Sequence, residues 1–197
     1  MGTGTNELFD LEVIALEPAE AMLHEALMNR RRPAISYLRG RAESVPLRDS
    51  VLAGVWASTV VHHIQDLRRC ANELRRVVVD GAPLMIRNAF QGRTGGVPWL
   101  AFFPQAEPLA QTRWPTVEST VDTFTAAGFT FDSLQQIEEI TAPDLRSYAE
   151  WIRVRDSTLA ALSDHEFEIG MQRVERAVRD SQSPGPITTR LDLLVLR

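Results

Sequence analysis

Short apolar runs alternate with amphipathic stretches along most of this 197-residue chain. Short continuous apolar runs are typical of buried strands, whereas apolar residues three and four apart are typical of helices. The strands predicted in this way are residues 11–16, 35–39, 54–58, 83–88, 129–141 and 187–196. The helices predicted are one that starts at Pro18, then residues 67–77, 117–127 and 144–162, and one that starts at the capping box Ser163-Asp164-His165-Glu166. Asp66 is predicted to cap the helix over residues 67–77, whose inner face would be Leu67, Cys70 or Ala71, Leu74 and Val77. This alternation predicts an α/β fold with helices on the faces of a parallel sheet.

The amino-terminal stretch has the residues of a nucleoside-binding corner. Gly2 and Gly4 come first, an apolar run follows, and Glu17 ends the run. Glycines let a backbone approach a ligand closely, and a carboxylate at the end of a strand can accept hydrogen bonds from a ribose diol. Because the glycines begin at residue 2, we expect the strand that would precede them to be missing from this sequence.

Composition narrows the possible chemistry. All 21 basic residues are arginine, so Schiff-base chemistry, pyridoxal phosphate binding and a P-loop lysine are excluded. The net charge of −5 argues against a general nucleic-acid binder. Cys70 is the single cysteine, which fits a reducing compartment, and four histidines leave little for a structural zinc site. The longest near-apolar run, residues 51–61, is too short to span a bilayer.

Residues 89–115 interrupt the alternation of strands and helices. This stretch is rich in glycine and proline, and it carries a set of large aromatic residues. These are Phe90, Trp99, Phe102, Phe103 and Trp114. Long aromatic-rich loops are often functional, so the segment is predicted to be a loop or lid whose aromatic side chains line an apolar substrate wall. The alternative is an insertion that packs on its own apolar cluster.

Several short motifs follow one another between residues 40 and 86. They are Arg41-Ala42-Glu43-Ser44-Val45-Pro46-Leu47, Val55-Trp56-Ala57-Ser58, His62-His63-Ile64-Gln65-Asp66, Asn72-Glu73-Leu74-Arg75-Arg76-Val77, and Asp80-Gly81 before Leu84-Met85-Ile86. In this order they resemble the middle of class I S-adenosylmethionine-dependent methyltransferases of the type 11 small-molecule group. Gly2-Thr3-Gly4-Thr5 resembles the end of that family's glycine-rich first motif, and Glu17-Pro18 resembles its acidic second-strand end.

The resemblance implies a Rossmann-like sheet of strand order 3-2-1-4-5-7-6, with an antiparallel last strand. The first strand and the helices before it would be missing. Residues 1–197 would form a single methyltransferase domain, with residues 89–115 as the loop or lid and residues 143–181 as a helical insertion between the last two strands.

The resemblance also implies roles for individual residues around bound S-adenosylmethionine. Gly2 and Gly4 would contact its methionine part, and Glu17 would hold the ribose hydroxyls. The stretch Arg41-Ala42-Glu43 would receive the adenine, with Ala42 offering backbone groups, and Ser58 would help to close the pocket floor. Arg41 stands where the family often has an aspartate that accepts from the adenine amino group. Arginine cannot accept a hydrogen bond, so the adenine must be bound by the backbone of Ala42 or Glu43, or less tightly.

His62 and His63 are the candidate catalytic residues, because histidine can take a proton from a hydroxyl or an amine near neutral pH. The alternative is that they are loop residues held by backbone hydrogen bonds, since many methyl transfers need only the alignment of the reacting groups. Trp56 is interpreted as a core residue because strand alternation points it away from Ala57.

The expected activity is methyl transfer from S-adenosylmethionine to a small-molecule acceptor in the cytoplasm. No metal, nucleic acid or membrane partner is expected, and the oligomeric state is left open. One alternative is a truncated or non-catalytic methyltransferase remnant with weak or no cofactor binding. A nicotinamide-dependent oxidoreductase is a further alternative, but the third glycine of its fingerprint does not follow Gly4.

Overall fold

The computed structural model describes residues 12–28, 35–180 and 185–197. The strands are β1 (Val13–Glu17), β2 (Ile35–Arg39), β3 (Val55–Ser58), β4 (Leu84–Asn88), β5 (Phe131–Ala142) and β6 (Ile187–Leu196). The helices are α1 (Glu20–Met28), α2 (Leu67–Val77), α3 (Glu107–Arg113), α4 (Val117–Ala126), α5 (Leu145–Arg153) and α6 (Asp164–Asp180). The predicted α/β class is confirmed. None of the helices in these ranges is long and apolar enough to cross a membrane.

The strands form two sheets that match the expected strand order. β1 pairs in parallel with β2, from Val13 opposite Ile35 to Glu17 opposite Arg39. The second sheet has the order β3-β4-β6-β5. β1 and β2 correspond to strands 2 and 3 of the expected order 3-2-1-4-5-7-6, and β3 to β6 correspond to strands 4 to 7. Strand 1 alone has no counterpart in the described ranges. Thr130 and Arg197 exchange both backbone hydrogen bonds, which is the antiparallel pattern expected between the last two strands.

The chain divides into two compact units. The first unit consists of Met1–Met85, Val121–Phe131 and Leu196–Arg197, and the second unit of Ile86–Thr120 and Asp132–Val195. In the first unit, α2 begins after Asp66, whose side chain accepts from the Arg69 N–H at 2.9 Å, as the sequence predicts. The inner face of α2 includes Cys70, which is fully buried. Burial and the nearby carboxylates raise the pKa of its thiol to about 12.

The second unit has an aromatic core that contains much of the segment 89–115. Trp99, Phe103 and Trp114 are 3%, 0% and 6% exposed. The Phe103 ring stacks on Phe167 with their centroids 5.4 Å apart. A Cβ added to Gly170 would lie 2.1 Å from the Phe103 ring, so only glycine fits there. This burial favours the insertion that packs on its own apolar cluster, and the lid role stays a prediction.

Polar contacts also fix this segment to β6. The guanidinium of Arg93 donates to both carboxylate oxygens of Asp192, at 2.6 and 2.8 Å. Asp192 is 2% exposed, so its charge is withdrawn from water and depends on this partner. Gly96 packs against the carbonyl of Arg190, where an added Cβ would lie 2.0 Å from the oxygen.

The helix predicted over residues 144–162 is wrong in its extent, because α5 ends at Arg153. Arg155 has a left-handed backbone with φ of 53°. The carboxylate of Asp156 then accepts from the N–H groups of Thr158 and Leu159, at 2.8 and 2.9 Å, and starts a short 3-10 turn. Aspartate favours such local bonds over helix continuation.

The predicted capping box of the next helix is confirmed. Ser163 donates its backbone N–H to Glu166, and its hydroxyl accepts from the Glu166 N–H.

Candidate functional site

The loops that follow β1, β2 and β3 meet at one edge of the first unit. β1 and β2 are parallel, so Glu17 and Gly40 lie at the same end, and the Gly40 N–H donates to the Glu17 carbonyl at 3.3 Å. The loop after β3 joins them because the Gln65 N–H donates to the Glu43 carboxylate at 3.2 Å. In open α/β sheets, ligands bind in the crevice outside the carboxyl ends of the strands.

Glu17 lies at the carboxyl end of β1 and is half-buried. Its Oε1 accepts from the Ala19 N–H at 2.9 Å, just before α1 begins. A carboxylate at the start of a helix is stabilised by the helix dipole, so this bond also fits a structural role. The position is the one that a ribose-binding carboxylate requires, and the role itself stays a prediction.

A tight turn follows Gly40. A Cβ on Gly40 would lie 2.8 Å from Leu16 Cδ1 and 2.9 Å from Pro46 Cδ, so a side chain there would push β1 and the turn apart. The Ser44 N–H donates to the Arg41 carbonyl at 3.0 Å and closes the turn. Ala42 is half-buried at its tip, where its backbone groups could contact a ligand.

Glu43 is the buried acid of this turn, with 9% of its surface exposed. Its Oε1 accepts from Arg41 Nη2 and from the Gln65 N–H, each at 3.2 Å. Burial by itself would raise the pKa of the Glu43 carboxyl, but hydrogen bonds from its own backbone amide, Arg41 and Gln65 hold that pKa below its usual value. Glu43 is therefore an ionised structural group, and the side chain of Arg41 is turned toward it.

The chain after β3 makes an unusual turn. Ser58 is half-buried, and the hydroxyl of Thr59 donates to its carbonyl at 2.8 Å. Thr59 has a φ of 53°, in the left-handed region that a β-branched residue rarely adopts. Such strain costs on the order of 1–3 kcal/mol and is concentrated at functional sites. Sequence reasoning missed Thr59, because nothing in its neighbours indicates a left-handed backbone.

His62 and His63 follow this turn on a short 3-10 helix, Val61–His63. Val61 is 3% exposed and fixes the helix to the unit. The two imidazole rings lie 4.1 Å apart between centroids, with His62 half-buried and His63 exposed. Both histidines are part of the loop 59–65, whose Gln65 N–H donates to Glu43. Their catalytic role stays a prediction.

Two of the proposed ligand contacts, Gly2 and Gly4, lie outside the described residues. The interpretation of Trp56 as a core residue is wrong, because 38% of its surface is exposed. The reason is its position on β3, which is an edge strand of the four-stranded sheet within the part of the chain that the structure describes. Strand alternation gives the direction of a side chain, but it does not tell whether anything covers that face.

Sequence reasoning also missed three residues of α2 that hold the turn after β2. Arg69 Nε donates to the Glu43 carbonyl at 2.9 Å. Glu73 and Arg76 form an ion pair that bonds to Val45, and Arg76 also donates to the Leu47 carbonyl. The available signal was the spacing of the three residues, which places them on one face of the helix.

A surface cavity of about 400 Å³ lies elsewhere in the first unit. Its lining includes Arg75, Asp80, Phe129 and Thr130, at the amino end of β4. Since ligands of this fold class bind beyond the carboxyl ends of the strands, the position of this cavity does not match the predicted site.

Comparison with known proteins gives a family match over the first part of the chain. Residues 2–86 match the model of the methyltransferase domain family. The matched range includes every candidate residue from Gly2 to His63. The chain is also 27% identical over 105 residues to the malonyl-[acyl-carrier protein] O-methyltransferase of Nitrosospira multiformis. That alignment covers 43% of this chain and 34% of the relative, so the match spans about a third of the relative's length.

Solved structures extend the likeness to the whole fold. A putative methyltransferase from an antibiotic biosynthesis pathway of Anabaena variabilis is 16% identical, with a TM-score of 0.72 over 95% of this chain and 82% of that one. Geranyl diphosphate methyltransferase in complex with SAM is 10% identical, with a TM-score of 0.55 over 97% of this chain and 70% of that one. Residues 2–86 therefore resemble a methyltransferase domain in sequence, and the chain shares its fold with solved methyltransferase structures.

Proposed function

We propose that this protein transfers a methyl group from S-adenosylmethionine to a small-molecule acceptor. The observation that carries the proposal is the meeting of Glu17, the turn Arg41–Ser44 and the loop 59–65 at one edge of the first unit. The adenosine end of the cofactor would lie at the carboxyl ends of β1 and β2.

The residues present at this edge fit an adenosine group. Glu17 offers a carboxylate at the end of β1, which suits the two donors of a ribose diol. Gly40 lets the turn lie close against β1, and Ala42 presents backbone groups at the tip. Because the carboxylate of Glu43 is already bonded to Arg41 and Gln65, the adenine would be bound by the backbone of this turn.

The cofactor supplies a methyl group that is already activated on a sulfonium, so the main work of the protein is to align the acceptor with that methyl group. His63 is exposed beside the strained turn at Thr59. An imidazole nitrogen of His63 would take the proton that a hydroxyl or amine acceptor loses. His62 lies against His63 and would orient its ring.

The proposed acceptor is a small molecule because the net charge of −5 disfavours a polyanion. The methyltransferase names of the similar proteins point to acceptors that differ from one another, so they support methyl transfer and do not select one acceptor. The single buried cysteine agrees with a cytoplasmic protein.

The test is the binding of S-adenosylmethionine by calorimetry to the unaltered chain and to the Glu17→Ala variant. Loss of a charge-assisted hydrogen bond should weaken binding by about 1–3 kcal/mol. The matched control is Glu12→Ala, which removes an exposed carboxylate just before β1 and should bind normally. Equal affinities of Glu17→Ala and the unaltered chain would refute the role of Glu17. An unaltered chain that binds no cofactor would favour the non-catalytic alternative.

A further inference from the structure

One face of α2 is directed at the turn after β2. Arg69, Glu73 and Arg76 are spaced by four and three residues, so they form one stripe along the helix. Each of them bonds to the segment 41–49. The neighbouring stripe, with Cys70, Leu74 and Val77, is buried in the unit and fixes the helix. A rigidly packed helix therefore carries the polar groups that contact the turn.

Arg76 uses all of its donors in this network, with three of its bonds reaching residues 45–49 and two reaching Glu73. An arginine side chain has five N–H donors, and five hydrogen bonds are made here. Nε and Nη2 donate to the two oxygens of Glu73 at 3.1 and 2.8 Å. Nη2 also reaches the Val45 carbonyl at 3.0 Å, while Nη1 reaches the Leu47 carbonyl at 2.9 Å and Asp49 Oδ1 at 2.7 Å.

Glu73 completes the contact from the other side. Its Oε2 accepts from the Val45 N–H at 3.0 Å. Both backbone groups of Val45 are thus bonded to one ion pair, in the way that a strand residue is bonded to its neighbour in a sheet. Within residues 41–49, Glu43 and Val45 are the only buried residues, so apolar packing does little to hold this segment.

We infer that Glu73 and Arg76 are positioning residues, which hold the turn after β2 in the conformation that receives the adenine of the cofactor. The inference rests on the proposed function for its ligand. Neither residue contacts the cofactor under this inference. They act through the backbone of Val45 and Leu47, which continues from the turn 41–44. Lysine cannot replace Arg76, because an ammonium group has no planar fork to bond two carbonyls and two carboxylates at once.

The experiment uses the full chain and the variants Arg76→Lys, Glu73→Gln and Arg75→Lys. Arg75→Lys is the matched control, because Arg75 is the next residue on the same helix and pairs with Asp80 instead of the turn. Amide hydrogen exchange is measured for residues 41–49, for α2 and for β4. Binding is measured with 5′-methylthioadenosine and with 5′-methylthioinosine, which differ at the group that the turn would recognise.

In Arg76→Lys and Glu73→Gln, we expect exchange at the Val45 amide to become about tenfold faster, the scale of one lost hydrogen bond, while α2 and β4 keep their protection. The preference for the adenosine compound over the inosine compound should fall several-fold in both variants and stay unchanged in Arg75→Lys.

If Glu73 and Arg76 only stabilise the fold, a different pattern of amide exchange and nucleoside affinity is expected. Exchange that rises throughout α2 and β4, or equal losses of affinity for both nucleosides, would overturn the inference. So would unchanged exchange at residues 41–49 in both variants. If the unaltered chain binds neither nucleoside, the proposed function fails and the recognition part of the inference fails with it. The exchange pattern then decides separately whether the ion pair holds the turn.

Discussion

Residues 89–115 lie between β4 and α4, residues 41–49 lie between β2 and β3, and the two segments are held by opposite means. The longer segment buries its aromatic side chains in the core of the second unit, where Phe103 is fully buried. The shorter one is largely exposed and is held by the side chains of Glu73 and Arg76. The apolar content of the first segment indicates packing in the core, whereas the second segment has mostly exposed residues and contains the turn that we propose binds the cofactor.

The largest expected effect concerns residues 89–115, which are held by apolar burial. Phe103→Ala should lower the free energy of unfolding by about 3–5 kcal/mol, because it removes a buried ring and leaves a cavity beside Phe167 and Gly170. Denaturant unfolding measures this loss. Phe131→Ala is the control, since 47% of Phe131 is exposed, and it should cost about 1 kcal/mol. If the two variants are equally stable, residues 89–115 are not part of a packed core.

A smaller loss of stability should follow from removing the ion pair between Arg93 and Asp192, which fixes residues 89–115 to β6. Arg93→Met leaves the buried Asp192 without its partner and should destabilise the protein by about 2 kcal/mol, less than for a fully buried pair because Arg93 is half exposed. Arg190→Met is the comparison, since the Arg190 side chain is exposed and lies 3.9 Å from Glu138. A thermal unfolding scan in which both variants match the unaltered chain would show that apolar burial alone holds this segment.

The smallest expected effect concerns residues 41–49, which are held by polar contacts, and it depends on pH. Hydrogen bonds from Arg76, outweighing the effect of burial, hold the pKa of Glu73 below its usual 4.5. A group whose pKa is lowered by folding stabilises the fold above its unfolded pKa, and this stabilisation is lost as pH falls through the folded pKa. Protection factors at residues 41–49 should therefore fall as the pH drops below about 4.5. Those at Trp99 and Phe103 should fall less.

The groups around Glu73 make this prediction specific. Arg69 and Arg76 face it with positive charge, and Arg76 also bonds to Asp49. The Glu73→Gln variant should remove the part of the pH dependence that Glu73 carries. Loss of protection at the same pH in both segments would contradict the idea that they are held by different means.

The strands β1, β3 and β4 were predictable because each is a short, mainly apolar run bounded by turn residues. The prediction for β6 matches residue for residue, and that for α2 gave its cap at Asp66 and its buried face. The end of α5 was missed, since Asp156 acts through local bonds that compete with a good helical pattern. The exposure of Trp56 was missed because it depends on which strands lie at the edge of a sheet.

The site was predictable only in part, for a similar reason. The positions of Glu17 and Ala42 follow from where strands end. The role of Arg76 does not, because its partners Val45 and Leu47 lie 31 and 29 residues away in sequence. Within the helix, Glu73 and Arg76 look like an ordinary surface pair.

The buried thiol of Cys70 gives the first unit a built-in chemical reporter. With no exposed surface and a pKa raised to about 12, the side chain holds almost no thiolate at neutral pH. The thiolate is the form that attacks an alkylating reagent, so such reagents can modify the folded chain only when α2 opens. As the chain has no second cysteine, the labelling rate reports the opening of the helix that carries Glu73 and Arg76, without an introduced probe.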